Sequence, residues 1–547
     1  MKINVLLASV QIRGIDGSGG LGDVPVGLSR FLSHREDIDI RLVMPGFCSI
    51  TGKGLEESYS AKPIESLSVP FGTSSQTVDV YQINLPCLGR SIITREVPCY
   101  LLRCPAVFDK PGDDGKVDKN SPDKAVLFAR AIIEFLRTFD EFRVDIIHCN
   151  DWHTGLVPVI LRTLYHKHPY LGRIATLYTT HNAEGGYQGA FSNALELLSL
   201  SGLDPFLVFN DPLQPSVNHN SKFNFCKGGF YFADLVNTVS RHYREELLTS
   251  AFGGGLSGVL NLRRAQFSGI TNGIDTDEWN PATDDYLDGI TFSVTDDIKT
   301  ILSQKKRVRK LIPDTIRNLV NNKKLEYASS ATIFDDSVLV GIISRIDYQK
   351  TEILLTVMEE ILQIDRNFQV VFLGAPGTGD AHGIKQAEEL ISIASRSGSK
   401  FLFYQGFDIP LSHLVHAACE LFLVPSVFEP CGLTQQVAMR YGSIPVVRSV
   451  GGLADTVVDE NSANGNGFGF KERILDPNRR MDIVGAGEAL VNTLERALDI
   501  WLTKPGRRDE LVINGMKSDW SWTIPGMGYM KLYHEAIRAN LLHSYFD

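Results

Sequence analysis

Short apolar runs alternate with helix-like runs along most of the chain, and the series breaks once before restarting. INVLLASV precedes VPVGLSRFLS, VDIIHCN precedes GLVPVILRTLYH, ATLYTTHN follows, and DLVNTVS precedes RHYREELL. The second series opens at SVLVGIISRI and continues through LLTVMEEILQI, NFQVVFLGA, KQAEELISIASR, KFLFYQGF, LSHLVHAACE, LFLVPS and PVVRSV. Continuous apolar strands joined by helices are what a parallel sheet requires, because helices cover both of its faces. The pattern predicts an α/β chain with two Rossmann-like domains. Its 547 residues also exceed the ~250–300 at which a single core stops growing. The break is the Gly-, Asn- and Asp-rich stretch from Gly253 to Ala328, with the joint expected near Asn272 to Pro281. The expected divisions are 1–275, 276–515 and a final helical segment 516–547.

Composition excludes several classes. A net charge of −10 argues against nucleic acid, whose recognition needs a basic face. The eight cysteines are scattered without a C-x-x-C pair, which fits reduced thiols better than a disulfide framework or a zinc site. MKINVLLASV is too short an apolar run for a signal peptide, and no segment reaches the ~18 apolar residues of a membrane span. The expectation is a cytoplasmic chain that does not enter a membrane. AVFDKPGDDGKVDKNSPDK has acids but no twelve-residue calcium-loop pattern and reads as a solvated loop.

The stretch from Phe422 to Val457, FLVPSVFEPCGLTQQVAMRYGSIPVVRSVGGLADTV, is the densest in chemistry. Glu429 lies just past a strand end, and Gly432, Leu433 and Thr434 open a helical run whose free N–H groups suit an anion. Alone, Glu429 reads equally as a helix cap. IDGSGGLGDVPVGLSRFL places Gly17, Gly19 and Gly20 at a strand-to-helix turn, either a phosphate approach or simply a tight turn. Asp151 and His153 follow another strand, where a histidine is structural or ligand-facing. Arg345 and Lys350 flank a turn in GIISRIDYQK, and on spacing alone they read as a solvated face. LGAPGTGD, residues 373–380, reads as a loop, and Phe407 as either core or contact. Asp275-Thr276-Asp277 has the form of a metal-holding Asp-x-Asp but lies on no strand end, so it is assigned to a turn.

Taken in order, these motifs resemble the bacterial glycogen synthase and plant starch synthase family, retaining glycosyltransferases that use a nucleotide-sugar. The block from Val424 to Thr456 carries the resemblance most specifically. It implies the GT-B type of fold: two Rossmann-like domains facing a deep cleft, with a C-terminal helix crossing back to the first. It implies that His153 faces the donor glucose, that Asp151 belongs to the nucleotide-sugar site and that the loop of Gly19 and Gly20 lies at the donor phosphate. Arg345 and Lys350 would hold the diphosphate and neutralise the charge that builds on the leaving nucleotide, where losing one such donor costs ~10²–10³ in rate. Gly374 would border the nucleotide and Phe407 its base, a stack worth ~1–3 kcal/mol. Glu429 would accept from sugar hydroxyls and oppose positive charge at the anomeric carbon, with Ser426 beside it. Cys431 would contact the donor without acting as a nucleophile, and Gly432, Leu433 and Thr434 would offer N–H groups to the distal phosphate. In TTHNAEGGYQG, two residues longer than the family's motif by Gly185 and Gly186, the residues Asn182, Tyr187 and Gln188 would line the acceptor path.

At two positions the chain carries a residue other than the family's: Gly17 stands where it has lysine, with Arg13 the nearest cation, and Thr351 replaces a glycine. Val437 stands where many other retaining transferases place a second glutamate, as this family allows. The implied reaction moves glucose from ADP-glucose, or another nucleotide-glucose, to the non-reducing end of an α-1,4-glucan with retention, using neither metal nor cofactor. The alternatives are a retaining transferase of other specificity and a weakly active, glucan-binding homologue. The sequence does not encode the oligomeric state legibly.

Overall fold

The computed structural model describes residues 2–15, 20–47, 61–85, 96–109, 121–206, 222–330, 332–472 and 481–546. Gly17 and Gly19 lie outside them. The first sheet is built from β1 (Ile3–Ala8), β2 (Ile38–Pro45), β3 (Lys62–Phe71), β4 (Ser74–Asn84), β5 (Pro98–Arg103), β6 (Ile146–Asn150) and β7 (Ala175–Thr180). After a small antiparallel pair, β8 (Ala190–Phe191) with β9 (Phe223–Asn224), β10 (Leu235–Thr238) and β11 (Phe267–Gly269) complete it. The order is β11-β10-β7-β6-β1-β2-β5-β4-β3, parallel as far as β5 and antiparallel beyond.

The antiparallel edge is absent from the βαβ reading of the sequence. Its signal is nonetheless visible, because β3 and β4 bury alternate residues and turn at Gly72, whose φ of 66° favours glycine. The central strands are buried on both faces, as their unbroken apolar runs require.

The second sheet contains β12 (Tyr327–Ala328), β13 (Val338–Ile343), β14 (Phe368–Gly374), β15 (Phe401–Gln405), β16 (Leu421–Val424), β17 (Ile444–Arg448) and β18 (Phe468–Phe470). Its order is β12-β15-β14-β13-β16-β17-β18, with only β12 antiparallel. Counted from β13, the parallel strands run 3-2-1-4-5-6, the doubly wound Rossmann order.

Residues 1–273 together with 521–547 form one unit, and residues 274–520 the other. The sequence placed these divisions at 275 and 515. The returning helix, Thr523–Phe546, packs on β7 and on helix Gly20–Ser33. Contact there is close enough to dictate residue size: a Cβ on Gly27 would lie 2.0 Å from Trp522 Nε1, and one on Gly526 2.1 Å from Phe31 Cδ1. No described helix is long and apolar enough to cross a membrane.

Candidate active site

In a doubly wound sheet, ligands bind beyond the carboxyl ends of the strands where the winding reverses. In the second unit that point lies between β13 and β16, which pair only at Val340–Leu421 and Gly341–Phe422 before diverging. The loops leaving these two strands carry Arg345, Ser426 and Glu429, and the helix that follows β13 holds Lys350 in its first turn.

Asp347 starts the helix Tyr348–Gln363 by accepting from Lys350 N at 2.9 Å, a side-chain N-cap. This fixes where Lys350 points. Its Nζ forms an ion pair with Glu429 Oε2, and Ser426 Oγ donates to the same oxygen at 2.8 Å. The pair is largely enclosed, with Lys350's side chain 17% exposed. Arg345 is 68% exposed and contacts Asp347 at 3.3 Å. The two cations expected to act alike thus sit in different environments.

The turn bearing Glu429 is braced from several sides. Gln349 Nε2 donates to Phe428 O at 2.9 Å, and Val427 N donates to Gln349 O at 2.8 Å. Arg448, buried and paired with Glu472, donates to Val427 O at 2.5 Å. Gly452 N donates to Glu429 O at 2.9 Å, and a Cβ on Gly452 would lie 2.0 Å from Cys431 O. Gln435 Nε2 donates to Gly432 O at 2.7 Å, and Gly432 has a φ of 74°. Leu433 makes no side-chain cap to the helix Thr434–Arg440. Cys431 is buried.

On the far side of β13, Gly374 closes β14, where a Cβ would lie 2.2 Å from Ser344 O. Beyond β15, Phe407 is 62% exposed, so core packing does not account for it. Thr351, where the family has glycine, is accommodated: its buried hydroxyl lies 2.8 Å from both Asp347 O and Gln386 Oε1. Asp275 Oδ1 accepts from Asp277 N at 3.1 Å and Glu278 N at 3.3 Å, a turn-capping arrangement.

In the first unit the winding reverses between β1 and β6. The loop after β1 leads to helix Gly20–Ser33, and Arg13 pairs with Asp23 of that helix at 3.1 Å. Gly20 opens the helix and is exposed. After β6, Asp151 adopts φ 56° and ψ 176°, a region essentially reserved for glycine. Its amide donates to Thr179 O at 2.8 Å, and its Oδ1 accepts from His181 N at 2.7 Å and Asn182 N at 3.4 Å. Burial raises its pKa to about 7, against the lowering effect of those amides and of the Tyr187 hydroxyl. His153 is buried, stacked on Trp152 at 3.9 Å, with the Tyr187 ring edge-on at 6.0 Å. His181 Nε2 meets Asn150 Oδ1 at 2.9 Å, and burial drives the His181 pKa down to about 3.

Within the expected acceptor loop the residues have separate tasks. Gln188 is buried; its amide donates to Ala183 O at 2.9 Å and Gly254 O at 2.8 Å and accepts from Asn224 at 3.1 Å. Its hydrogen-bonding capacity goes into bracing. Asn182 Oδ1 accepts from Glu184 N at 2.9 Å. Tyr187 is half-buried, whereas Gly185 and Gly186 are exposed, and a Cβ on either would meet no atom within 4 Å.

Sequence reasoning missed Gln349, Arg448 and Glu472. Arg448 had a signal, a charge ending the otherwise apolar strand PVVR, but its partner lies in a separate segment.

Residues 4–262 match the family described as the starch synthase catalytic domain, and residues 324–480 match glycosyl transferases group 1. The glycogen synthase of Thermosipho africanus is 34% identical over 540 residues, spanning 98% of this chain and 99% of that protein. That of Thermotoga maritima is 32% identical over 540 residues, with the same coverage. Among solved structures, the catalytic domain of starch synthase IV from Arabidopsis thaliana, bound to ADP and acarbose, superposes with a TM-score of 0.80 at 28% identity. The match covers 98% of this chain and 100% of that one.

Proposed function

The chain belongs to the glycogen synthase and starch synthase family, and from that premise we propose that it transfers glucose from ADP-glucose to the non-reducing end of an α-1,4-glucan with retention of configuration. The observation that carries the reading is the convergence of Lys350, Ser426 and Glu429 at the winding reversal of the second sheet. A cation bonded to a carboxylate there supplies both charges the reaction needs. Lys350, with Arg345, balances the negative charge growing on the leaving diphosphate, and Glu429 opposes positive charge at the anomeric carbon. Asp151 and His153 are assigned to the glucose, Gly374 and the exposed Phe407 to the nucleotide, and Tyr187 to the acceptor side. ADP as the nucleotide is supported by the relative solved with ADP and acarbose.

The test is incorporation of glucose into glycogen by the purified chain from ADP-, UDP- and GDP-glucose, with and without excess EDTA, and the anomeric configuration of the new linkage by NMR. Transfer from ADP-glucose into an α-linkage, indifferent to chelator, is the expected result. Failure with every donor would leave a glucan-binding homologue. Abolition by EDTA with rescue by a divalent ion would reinstate Asp275 and Asp277 as a metal site.

A further inference from the structure

The helix Thr523–Phe546 turns two tyrosine hydroxyls into the interior of the first unit. Tyr529 and Tyr533 are fully buried; the Tyr529 hydroxyl accepts from Asn237 Nδ2 at 3.2 Å, and that of Tyr533 meets His148 Nδ1 at 3.0 Å. His148 extends the second contact, since its Nε2 lies 2.8 Å from Thr179 Oγ1. The carbonyl of that same Thr179 accepts from Asp151 N. A continuous path therefore runs from the final helix to Asp151, a non-glycine residue with glycine-like backbone angles.

Such a conformation is strained and persists only where its surroundings over-determine it. Burial keeps His148 neutral, with a pKa down to about 3, so one ring nitrogen donates and the other accepts. Both ring contacts are then needed to satisfy it, and each fixes the other's direction. The Tyr529 hydroxyl reaches Thr179 Oγ1 through Asn237, at 3.4 Å, and its ring lies 5.3 Å from that of His148.

We propose that Tyr533 is a positioning residue for glucosyl transfer: through His148 and Thr179 it holds the Asp151 turn, and with it His153, in the geometry that the donor sugar requires. The inference rests on the assignment of Asp151 and His153 to the donor glucose.

The test is Tyr533→Phe in the full chain, which removes one hydroxyl and keeps the ring. The expected result is a kcat lowered about tenfold with KM for donor and glucan changed less than about threefold, as a small misplacement of a positioned group predicts. Tyr529→Phe, an equally buried loss on the same helix, should keep kcat within about twofold. Hydrogen exchange should quicken at residues 148–155 in Tyr533→Phe and stay unchanged in β13. Should Tyr533→Phe keep its kcat, or Tyr529→Phe lose as much, the hydroxyl is only structural and the proposal falls. If Tyr533→Phe does not fold, Thr179→Val, which keeps the carbonyl and removes the hydroxyl, must show the same kcat loss. If the native chain transfers no glucose, the proposed activity fails by itself, and unchanged exchange at residues 148–155 would separately overturn the clamp.

Discussion

Arg345 and Lys350 carry the same charge at one end of one strand, yet their surroundings predict different consequences of removing them. Arg345→Ala removes an exposed side chain and should cost less than ~1 kcal/mol of stability while lowering kcat by ~10²–10³. Lys350→Ala should lower kcat as much, but it also leaves the buried Glu429 carboxylate without its cation, a cost of about 1–3 kcal/mol. Thermal melts beside initial rates separate the two; equal melting temperatures would contradict the pairing. Asp151 supports a pH prediction. Its folded pKa of about 7 lies above the ordinary carboxylate value, so the folded chain binds the additional proton, and this group's contribution to stability falls as pH rises from about 4 to about 7. In Asp151→Asn that slope should flatten, which melting temperatures across this range would show. The residue types were legible in the sequence because each sits in a short motif at a strand end. The bond between Lys350 and Glu429 and the strain at Asp151 were not, since both depend on contacts made by distant segments.

At the scale of elements, the second sheet explains why the segments that follow β13 and β16 meet at the pair of Lys350 and Glu429: the winding reverses between them. The tight joint is Gly452, in the first turn of the helix Gly451–Thr456, against the Glu429 turn. Gly452→Ala would force its Cβ into Cys431 O, and overpacking of this kind costs about 1–3 kcal/mol. It should depress activity strongly by displacing the carbonyl of Glu429. Gly185→Ala and Gly186→Ala, which meet no atom, should leave folding and donor KM intact, as melts and donor titrations can establish. Long buried strands such as β13 and β14 were readable because an unbroken apolar run of strand length, bounded by turn residues, fits little besides a buried strand. The strands β3 and β4 were overlooked because alternation on a half-exposed edge resembles an ordinary polar surface segment.

At the scale of the molecule, the first unit is discontinuous in sequence and the second is not. Trp522, Tyr529, Tyr533 and Ala536 are buried against the first unit, so a chain ending at Trp520 should uncover its apolar seat. Limited proteolysis of that truncation should cut within residues 1–273 while peptides of 274–520 stay protected. Equal protection of both would show that the final helix is dispensable. The same discontinuity imposes a schedule on synthesis. At ~5–20 residues per second, the ribosome spends roughly 12–50 s on the intervening unit after residue 273 has been added. Throughout that interval the nascent first unit lacks its closing helix, so an interrupted translation product would present this sticky seat to chaperones and proteases, and only a ribosome that reads through the final segment releases a chain able to cover it.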